Sequence, residues 1–321
     1  MAVSGQAILT LNISGLQQKT KHIKQLLKDT YCDFIFLQET NIKDTYTEEQ
    51  TLFSLVLQKG MFSHIQTQHS GTAIIQTSCR WTITNTKIEL DGRMTCMEIK
   101  NDTHTYTLVN IYAPATTQTR PVFYENLEIQ LLKYNKETLI LGGDFNITLE
   151  ENDITGRRGI NRAGRRELQH IINNLHLKDT FRALHPDTVE ITYTNTDNKR
   201  AARLDRFYVA TAINLGLAKH LSHTLNFTDH KATHIIIGNS VPPTNRGSTY
   251  WKFNDSLLDI EDFVKPVKTL LQDNLHLLET TNIISAYKIL KDHIKMLAQK
   301  IGTEQKHKIK HEIEFIEKLL N

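Results

Sequence analysis

"ILGGDFNITLE", residues 140–150, ends an apolar run with two glycines and then presents Asp144, Phe145 and Asn146. Alternate residues of a strand share a face, so a strand that continued through this segment would carry Asp144 and Asn146 on the same side. A turn after a strand also favours Asp and Asn, so the segment alone leaves an ordinary turn and a functional site open. The rest of the chain has to decide between them.

Composition predicts a folded protein with a sizeable core. The chain has 321 residues, 39% of them hydrophobic, which is enough for one large domain or two. The net charge of +3 is small, so the local distribution of charge says more about partners than the total does. Cys32, Cys79 and Cys96 lie far apart, which predicts free thiols in a reducing compartment rather than disulfides or a zinc site. With no signal peptide and no apolar stretch of about 20 residues, we expect a soluble intracellular protein without membrane contact.

Short apolar segments alternate with amphipathic ones along the first three quarters of the chain. Helical spacing is found at 16–29, after Pro121 and over 168–175. Because strands and helices are mixed and many strands are adjacent in sequence, we expect two packed sheets flanked by helices. The predicted strands are 6–13, 32–40, 63–68, 71–77, 81–90, 94–100, 104–114, 138–146, 189–194, 203–210 and 232–238.

A change of composition divides the chain near residue 238. Residues 1–238 carry the predicted strands, and "NSVPPTNRGS" (239–248) is typical of a linker. Residues 249–321 are rich in helix formers, with apolar residues four and three apart from 283 to 301 and again from 309 to 320. This predicts a helical extension. Since the pattern runs to the last residue without a capping residue, we expect a missing downstream region.

Polar residues recur where the predicted apolar strands end. One at a time, each has an ordinary explanation as a turn residue, a cap, a packed tyrosine, an ion pair or a core histidine. Their recurrence favours a site, because loops at strand ends are where rigid scaffolds place catalysis. A carboxylate with a nearby amide suits Mg²⁺, an Asp can accept a proton from water, and a His oriented by a carboxylate can stabilise phosphoryl charge. These residues are Asn12, Glu39, Tyr112, Asp144, Asn146, Asp205, Asp229 and His230.

The ordered motifs "LNISGL", "FLQET", "NIYAP", "GDFN", "RLDRFYV" and "TDH" resemble the endonuclease/exonuclease/phosphatase superfamily. More narrowly, they are similar to the apurinic-type endonuclease domain that begins the second open reading frame of LINE-type (non-LTR) retrotransposons. The resemblance covers about 6–238, and "GSTYWKFNDSLL" (247–258) resembles the segment leading toward the reverse transcriptase. It implies an α/β fold, a four-layer α/β/β/α sandwich of two mixed sheets.

The resemblance also implies roles for the strand-end residues. Glu39 would be the main ligand of Mg²⁺ or Mn²⁺, supported by Asn12. Tyr112 and Asn146 would contact the scissile phosphate, and Asp144 would orient or deprotonate the attacking water. His230 would act with Asp229 and be oriented by Asp205, while Thr192 and Thr228 would lie against the DNA. Cellular apurinic endonucleases usually carry an Asp where this chain has Ser14, which favours the retrotransposon branch, and Thr228 stands where Ser is frequent.

Two basic segments predict contacts with DNA. "GRRGINRAGRR" (156–166) packs five arginines beside the Asp144 motif, although a solvated basic loop remains an alternative. "NTDNKRAARLDR" (195–206) is a polar turn that, in the related endonucleases, lies against the minor groove. The expected contacts are Arg157, Arg158, Arg162, Arg165, Lys199, Arg200 and Arg203.

Together these patterns predict a divalent-metal-dependent phosphodiesterase that nicks one strand of duplex DNA and leaves a 3′-hydroxyl. In a full-length protein that hydroxyl would prime target-primed reverse transcription, with a reverse transcriptase region and element RNA as partners and the nucleus as the site of action. The alternatives are another phosphodiesterase of the superfamily, such as a repair nuclease or a phosphatase, and an inactive module that only binds DNA.

Overall fold

The computed structural model describes residues 5–55, 59–64, 71–78, 80–155, 163–195, 201–221, 227–238 and 255–273, with separate residues between 287 and 305. The chain divides into two compact units, Met1–Gly247 and Ser248–Asn321. Within the described ranges, no helix is both long and apolar enough to span a bilayer. Cys32 and Cys96 are buried and unpaired, and Cys79 lies outside the described residues.

Strands dominate the first unit. The described strands are Gln6–Asn12 (β1), Phe34–Gln38 (β2), Lys59–Phe62 (β3), Thr72–Gln76 (β4), Thr82–Glu89 (β5), Met94–Lys100 (β6), Thr105–Tyr112 (β7), Leu139–Asp144 (β8), Ile154–Thr155 (β9), Leu177–Asp179 (β10), Tyr193–Thr194 (β11), Ala201–Ala202 (β12), Asp205–Ala210 (β13), Leu215–Leu221 (β14) and Ala232–Ile237 (β15). The helices are Thr20–Asp29 (α1), Thr45–Leu55 (α2), Arg120–Leu131 (α3), Arg165–Asn174 (α4), Thr180–Leu184 (α5) and, in the second unit, Glu261–Asp273 (α6).

Two mixed six-stranded sheets form the body of the first unit. The first sheet has the order β14-β15-β1-β2-β4-β3 and the second has the order β10-β13-β8-β7-β6-β5. Each sheet holds one parallel pair near its centre, β1 with β2 and β7 with β8. Because parallel strands end at the same edge, the residues that follow these two pairs are brought together in each sheet.

The core lies between the sheets and beneath the helices. Alternate residues of the central strands, such as Ile8, Phe36, Leu108 and Ile140, fill the space between the two sheets. The opposite face of the second sheet packs on α3 and α4, as in the cluster of Val109, Leu141, Leu127 and Leu168. On α1 the buried residues are Ile23, Leu26 and Leu27, one apolar stripe of the helix. The structure therefore confirms the predicted α/β sandwich of two mixed sheets with helices.

The two glycines of β8 allow its neighbours to approach closely. A Cβ at Gly142 would lie 2.3 Å from the ring of Phe207 on β13. Gly143 has a φ of +134°, and a Cβ there would lie 2.1 Å from the backbone oxygen of Ile111 on β7. The glycine pair is therefore required by close packing and backbone conformation immediately before Asp144.

The sequence prediction differs from the structure at several elements. Helix α2 was not predicted because "TYTEEQTLFSL" has too few apolar residues at helical spacing. Strand β14 was missed because Gly216 and Lys219 interrupt its apolar residues, as is common at a sheet edge. The strand predicted at 63–68 begins earlier, at Lys59–Phe62, and 65–68 lie outside the described residues. The one predicted at 189–194 is reduced to Tyr193–Thr194.

The second unit is helical where it is described. A 3-10 turn at Asp255–Asp259 leads into α6, and the described residues from 287 to 305 are helical. Its core joins Leu257 and Phe263 to Ala298 and Ile301, so part of the predicted apolar stripe packs against α6. The expected linker at 239–248 and the second stripe at 309–320 lie outside the described residues.

Candidate active site

Four strand ends meet where the two parallel pairs finish. Asn12 ends β1, Glu39 follows β2, Tyr112 ends β7 and Asp144 ends β8. The amide nitrogen of Asn12 donates to Glu39 Oε1 at 2.9 Å and to Asp144 Oδ2 at 3.0 Å. Asn12 therefore links the carboxylate of the first sheet to that of the second.

Glu39 is held by a second donor from the opposite sheet. The hydroxyl of Tyr112 donates to Glu39 Oε1 at 2.9 Å. Burial, together with the charges of Glu39 and Asp144, raises the pKa of Tyr112 well above its ordinary value, so the phenol remains a donor. The guanidinium of Arg93 lies 5.0 Å from the centre of the Tyr112 ring and fixes its position.

The chain turns sharply after Asp144. Asn146 adopts a φ of +50°, and its backbone N–H donates to Asp144 Oδ1 at 2.9 Å. Its side chain does not continue the strand pattern, because the amide nitrogen donates to the carbonyl of Ala113 at 2.8 Å. The opening segment is thus both a turn and a site, since the Asp/Asn turn fixes one oxygen of Asp144 while Asn12 fixes the other.

Asp144 and Asp205 are partners across the antiparallel pair of β8 and β13. Burial and the neighbouring Asp205 charge raise the pKa of Asp144 to about 6, against the opposing effects of His230 and Asn12. Asp144 is consequently ionised at neutral pH but poised near the range in which a carboxylate accepts a proton.

His230 is oriented by Asp205, as expected. Its Nδ1 donates to Asp205 Oδ2 at 2.8 Å, which directs Nε2 toward Asp144 Oδ2 at 4.0 Å. Burial lowers the pKa of His230, but the charge and hydrogen bond of Asp205 outweigh it and bring the pKa to about 10. The imidazole therefore carries a positive charge at neutral pH. Asp229 is exposed and contributes charge without a direct contact to the ring.

The donor set fits a divalent cation. Asp205 Oδ1 is buried without a hydrogen-bond partner, and the carboxylates of Asp144 and Asp205 offer ligand oxygens within 4.8 Å of each other, beside the protonated His230. Carboxylate oxygens are the ligands that Mg²⁺ and Mn²⁺ prefer. Half-buried Glu39 adds a third carboxylate at the same strand ends. The side-chain Oδ1 of Asn12 accepts from Ser14 N at 3.1 Å, so Asn12 supports Glu39 through its side-chain amide nitrogen.

Thr228 closes the site between the first and last strands of the first unit. Its hydroxyl donates to the carbonyl of Asn12 at 2.8 Å and accepts from His230 N at 3.3 Å. Lys19, which the sequence did not single out, donates to the carbonyls of Ile13 and Ser14 at 2.6 and 2.8 Å. These bonds hold the loop that follows Asn12.

Two residues predicted to contact DNA are instead buried. Arg203 is 1% exposed, and its guanidinium pairs with Asp153 at 2.7 Å and Asp179 at 2.7 Å. Thr192 is also 1% exposed, and its hydroxyl accepts from the backbone nitrogens of Leu204 and Asp205. In the structure both side chains are occupied by partners within the protein, and their predicted contact with DNA stays a prediction.

The remaining basic residues of the prediction are mostly outside the described part of the chain. Arg157, Arg158, Arg162, Lys199 and Arg200 fall within 156–162 and 196–200. Arg165, the first residue of α4, is half-buried.

Two structural arginines were missed by the sequence reasoning. Arg120, only 3% exposed, donates to the carbonyls of Pro114 and Ala115 and thereby holds the loop after Tyr112. Arg206 is 1% exposed and donates to Asp153 Oδ2 at 3.3 Å. The spacing "RLDR" around Asp205 was the available signal, but it suggested a pair with Asp205 rather than with Asp153.

Comparison with known proteins gives consistent matches. Residues 9–230 match the Endonuclease/Exonuclease/phosphatase family. Across 311 residues, the chain is 28% identical to the "Transposon TX1 uncharacterized 149 kDa protein" of Xenopus laevis. That match covers 91% of this chain but 23% of the relative, so the chain spans about a quarter of its relative's length.

Solved structures with a similar fold include two DNA-processing enzymes. An AP endonuclease from Archaeoglobus fulgidus matches with a TM-score of 0.63 at 17% identity, covering 72% of this chain and 98% of that chain. The 3′ phosphatase NExo from Neisseria, solved with a product DNA hairpin, matches with a TM-score of 0.62 at 18% identity and the same coverage. At these identities the likeness shows a shared fold.

Proposed function

The chain belongs to the endonuclease/exonuclease/phosphatase family, and we propose on that premise that it is a divalent-metal-dependent endonuclease that nicks one strand of duplex DNA. The family resemblance predicted from the motifs is confirmed by the match over residues 9–230. The observation that carries the proposal is the hydrogen-bonded convergence of Asn12, Glu39 and Asp144 beside the Asp205–His230 pair.

The residues of this site supply complementary functions for cleavage of a phosphodiester. Asp144, ionised and fixed by Asn12 and Asn146, is placed to orient a water molecule and accept its proton. His230, protonated and held by Asp205, directs Nε2 toward the same space and can donate to a phosphoryl oxygen as negative charge develops.

A bound Mg²⁺ or Mn²⁺ would neutralise charge on the phosphate and on the oxygen that leaves. Glu39 would hold this ion, with Asn12 fixing the Glu39 carboxylate and Tyr112 donating to the same oxygen. The closely spaced Asp144 and Asp205 carboxylates supply further negative charge beside the cation.

The similarity to the transposon TX1 protein supports a role in retrotransposition. The nick would leave a 3′-hydroxyl that primes reverse transcription of element RNA by a reverse transcriptase region of the complete protein. Its action would then be on nuclear DNA. Ser14, which leaves the site with one carboxylate fewer than cellular apurinic endonucleases usually carry, supports this reading over repair of abasic sites.

The test is a supercoiled-plasmid nicking assay with Mg²⁺, with and without EDTA. Asp144→Ala is compared with Asp102→Ala, an exposed acid in the turn before β7. We expect nicked circles with the wild type and with Asp102→Ala, and none with EDTA or Asp144→Ala. Extension of the nicks by a DNA polymerase without further processing would establish the 3′-hydroxyl.

Other outcomes separate the alternatives. Salt-sensitive DNA binding without nicking, on plasmid and on oligonucleotides of varied sequence, would replace the proposal by the binding-only reading. Cleavage confined to duplexes that carry an abasic site would place the chain among the repair nucleases. Nicking that survives Asp144→Ala would show that Asp144 is not the reacting base.

A further inference from the structure

Three arginines converge on one buried carboxylate next to the site; Arg203 and Arg206 are buried and Arg182 is half-buried. Asp153, 0% exposed, accepts from Arg203 Nε at 2.7 Å and from Arg182 Nη2 at 2.6 Å, and also from Arg206. Asp179 binds the other side of the Arg203 guanidinium at 2.7 Å. A buried arginine with two carboxylate partners is fixed in one orientation by paired, charge-assisted hydrogen bonds.

This cluster is connected to the Asp205–His230 pair through the backbone. Arg203 and Arg206 bracket Leu204 and Asp205, and the amide nitrogens of both bracketed residues donate to Thr192 Oγ1. Arg206 also donates to the carbonyl of Arg203 at 2.8 Å, which closes the bracket. Asp205 therefore has little freedom to move unless Arg203 moves.

The same cluster anchors a small third sheet of the order β11-β12-β9. Asp153 directly precedes β9 and Arg203 directly follows β12, and their backbones are joined by a hydrogen bond of 2.8 Å from Arg203 N to Asp153 O. At its other edge the sheet pairs with the site, because Tyr193 of β11 bridges to His230. Both basic segments proposed to contact DNA follow from this sheet in sequence, 156–162 after β9 and 196–200 between β11 and β12.

We propose that Arg203 and Asp153 are positioning residues, which tie the third sheet to the Asp205–His230 pair and thereby keep the imidazole of His230 in its orientation. The inference rests on the proposed function and concerns how the site is held rather than whether it cleaves. It assigns Arg203 an effect on kcat, whereas a phosphate contact would affect KM.

The experiment compares Arg203→Met and Arg203→Lys with a matched variant, Arg80→Met. Arg80 pairs with buried Asp33 at the amino end of β2, the end of that strand away from Glu39. With nicking kinetics measured well below each variant's unfolding temperature, we expect Arg203→Met to lower kcat about 30- to 100-fold, with KM within about twofold. Arg203→Lys, which keeps the charge but loses the fork of donors, should recover part of kcat. Arg80→Met should leave kcat unchanged despite a similar loss of stability.

An unchanged kcat in Arg203→Met would overturn the proposal, and a raised KM with normal kcat would restore the DNA contact predicted from sequence. If Arg203→Met does not fold, Asp179→Asn removes one partner of Arg203 while Asp153 remains, and a smaller loss of kcat at constant KM is expected.

A second readout separates this inference from the proposed function. In protein labelled with ¹⁵N-histidine, the proton resonance of the His230 Nδ1–H···Asp205 bond should be lost in Arg203→Met and kept in Arg80→Met, whether or not the wild type nicks DNA. A resonance that persists in Arg203→Met would count against the positioning role even if nicking itself is confirmed.

Discussion

Strand β2 carries an acidic residue beyond each of its ends, and the two ends are built in opposite ways. At its amino end, Asp33 accepts from the backbone of Ala7, from the hydroxyls of Tyr31 and Ser78, and from Arg80. At its carboxyl end, Glu39 adopts a φ of +52° and faces a site in which Asp144 and Asp205 lie close to each other. At the amino end the buried Asp33 carboxylate has its hydrogen-bond partners, whereas the site at the carboxyl end brings together the mutually repelling carboxylates of Asp144 and Asp205.

The two ends of β2 also differ in backbone strain. Left-handed backbone conformations outside glycine recur at the carboxyl end, at Ser14, Glu39, Asn41 and Asn146. Such conformations cost about 1–3 kcal/mol each for most residues, less for Asn, and persist because the surrounding structure imposes them. Among the described residues next to Asp33 at the amino end of β2, none adopts such a conformation.

The largest expected effect is on catalysis at the strained end. Asp144→Asn keeps the shape of the side chain but removes the carboxylate that accepts a proton, so we expect kcat to fall about 10³-fold. Thermal stability should stay equal or rise, because the repulsion from Asp205 is relieved. Nicking kinetics and a thermal unfolding curve on the same preparation measure both, and a large loss of stability would show that Asp144 is a structural residue.

At the amino end of β2 we expect the reverse, a loss of stability without a loss of activity. Asp33→Ala removes the carboxylate that accepts hydrogen bonds from four residues, and it leaves Arg80 without its buried partner. The free energy of unfolding should therefore fall by about 3–4 kcal/mol. Since Asp33 lies at the far end of β2, kcat of the folded fraction should not change. Urea titration and nicking kinetics at low temperature test this, and a reduced kcat would mean that the two ends are not independent.

The pH dependence of stability should distinguish the ends in metal-free protein. The pKa of Asp144 is raised from 3.8 to about 6, so the folded state binds more protons than the unfolded state between these values. Stability contributed by this group is therefore present at low pH and is lost as pH rises from about 4 to 6. In EDTA the wild type should lose about 2–3 kcal/mol more than Asp144→Asn over this range.

Mg²⁺ provides the control for that experiment. Since a bound cation offsets the repulsion between carboxylates, adding Mg²⁺ should reduce the pH-dependent difference between wild type and Asp144→Asn. Parallel stability curves in EDTA would show that Asp144 keeps an ordinary pKa in the folded state.

The smallest expected effect concerns the hydrogen bond that joins the sheets at Glu39. Tyr112→Phe removes the donor to Glu39 Oε1 and leaves Asn12 in place, so we expect about a tenfold loss of kcat/KM, equivalent to about 1.4 kcal/mol. Raising the Mg²⁺ concentration should recover part of this loss if Tyr112 acts on the metal ligand. A loss that does not respond to Mg²⁺ would favour a direct contact with the phosphate.

The strand-end residues could be predicted because each belongs to a local pattern, an apolar run followed by a polar side chain. The order of those patterns then identified the family. Arg203 could not be placed in the same way, since its partner Asp153 is 50 residues away and only the folding of β9 beside β12 brings them together. From sequence, a buried arginine and one that binds phosphate look alike.

Backbone conformation was the other unpredictable element. Alternation suggested a shared face for Asp144 and Asn146, but the strand ends at Asp144 and Asn146 turns its side chain to Ala113. Edge strands such as β14 were missed because most of their residues are at least partly exposed to solvent, so polar residues interrupt the apolar pattern that predicts a strand. Sequence patterns could therefore propose the candidate residues, but not the tertiary context in which those residues lie.

The pairing of β1 with β15 has a consequence for the chain during its synthesis. Gln6 of β1 pairs with Ile237 of β15, and Thr228 donates a hydrogen bond to Asn12 at the end of β1. Strand β1 therefore cannot complete its pairing until β15 has been synthesised. At about 5–20 residues per second, a ribosome needs roughly 10–50 s to cover that distance. Until then the Asn12 and His230 sides of the site are not yet held together by the completed first sheet. A prematurely terminated translation product that lacks β15 would therefore have an incomplete first sheet and an incompletely held site.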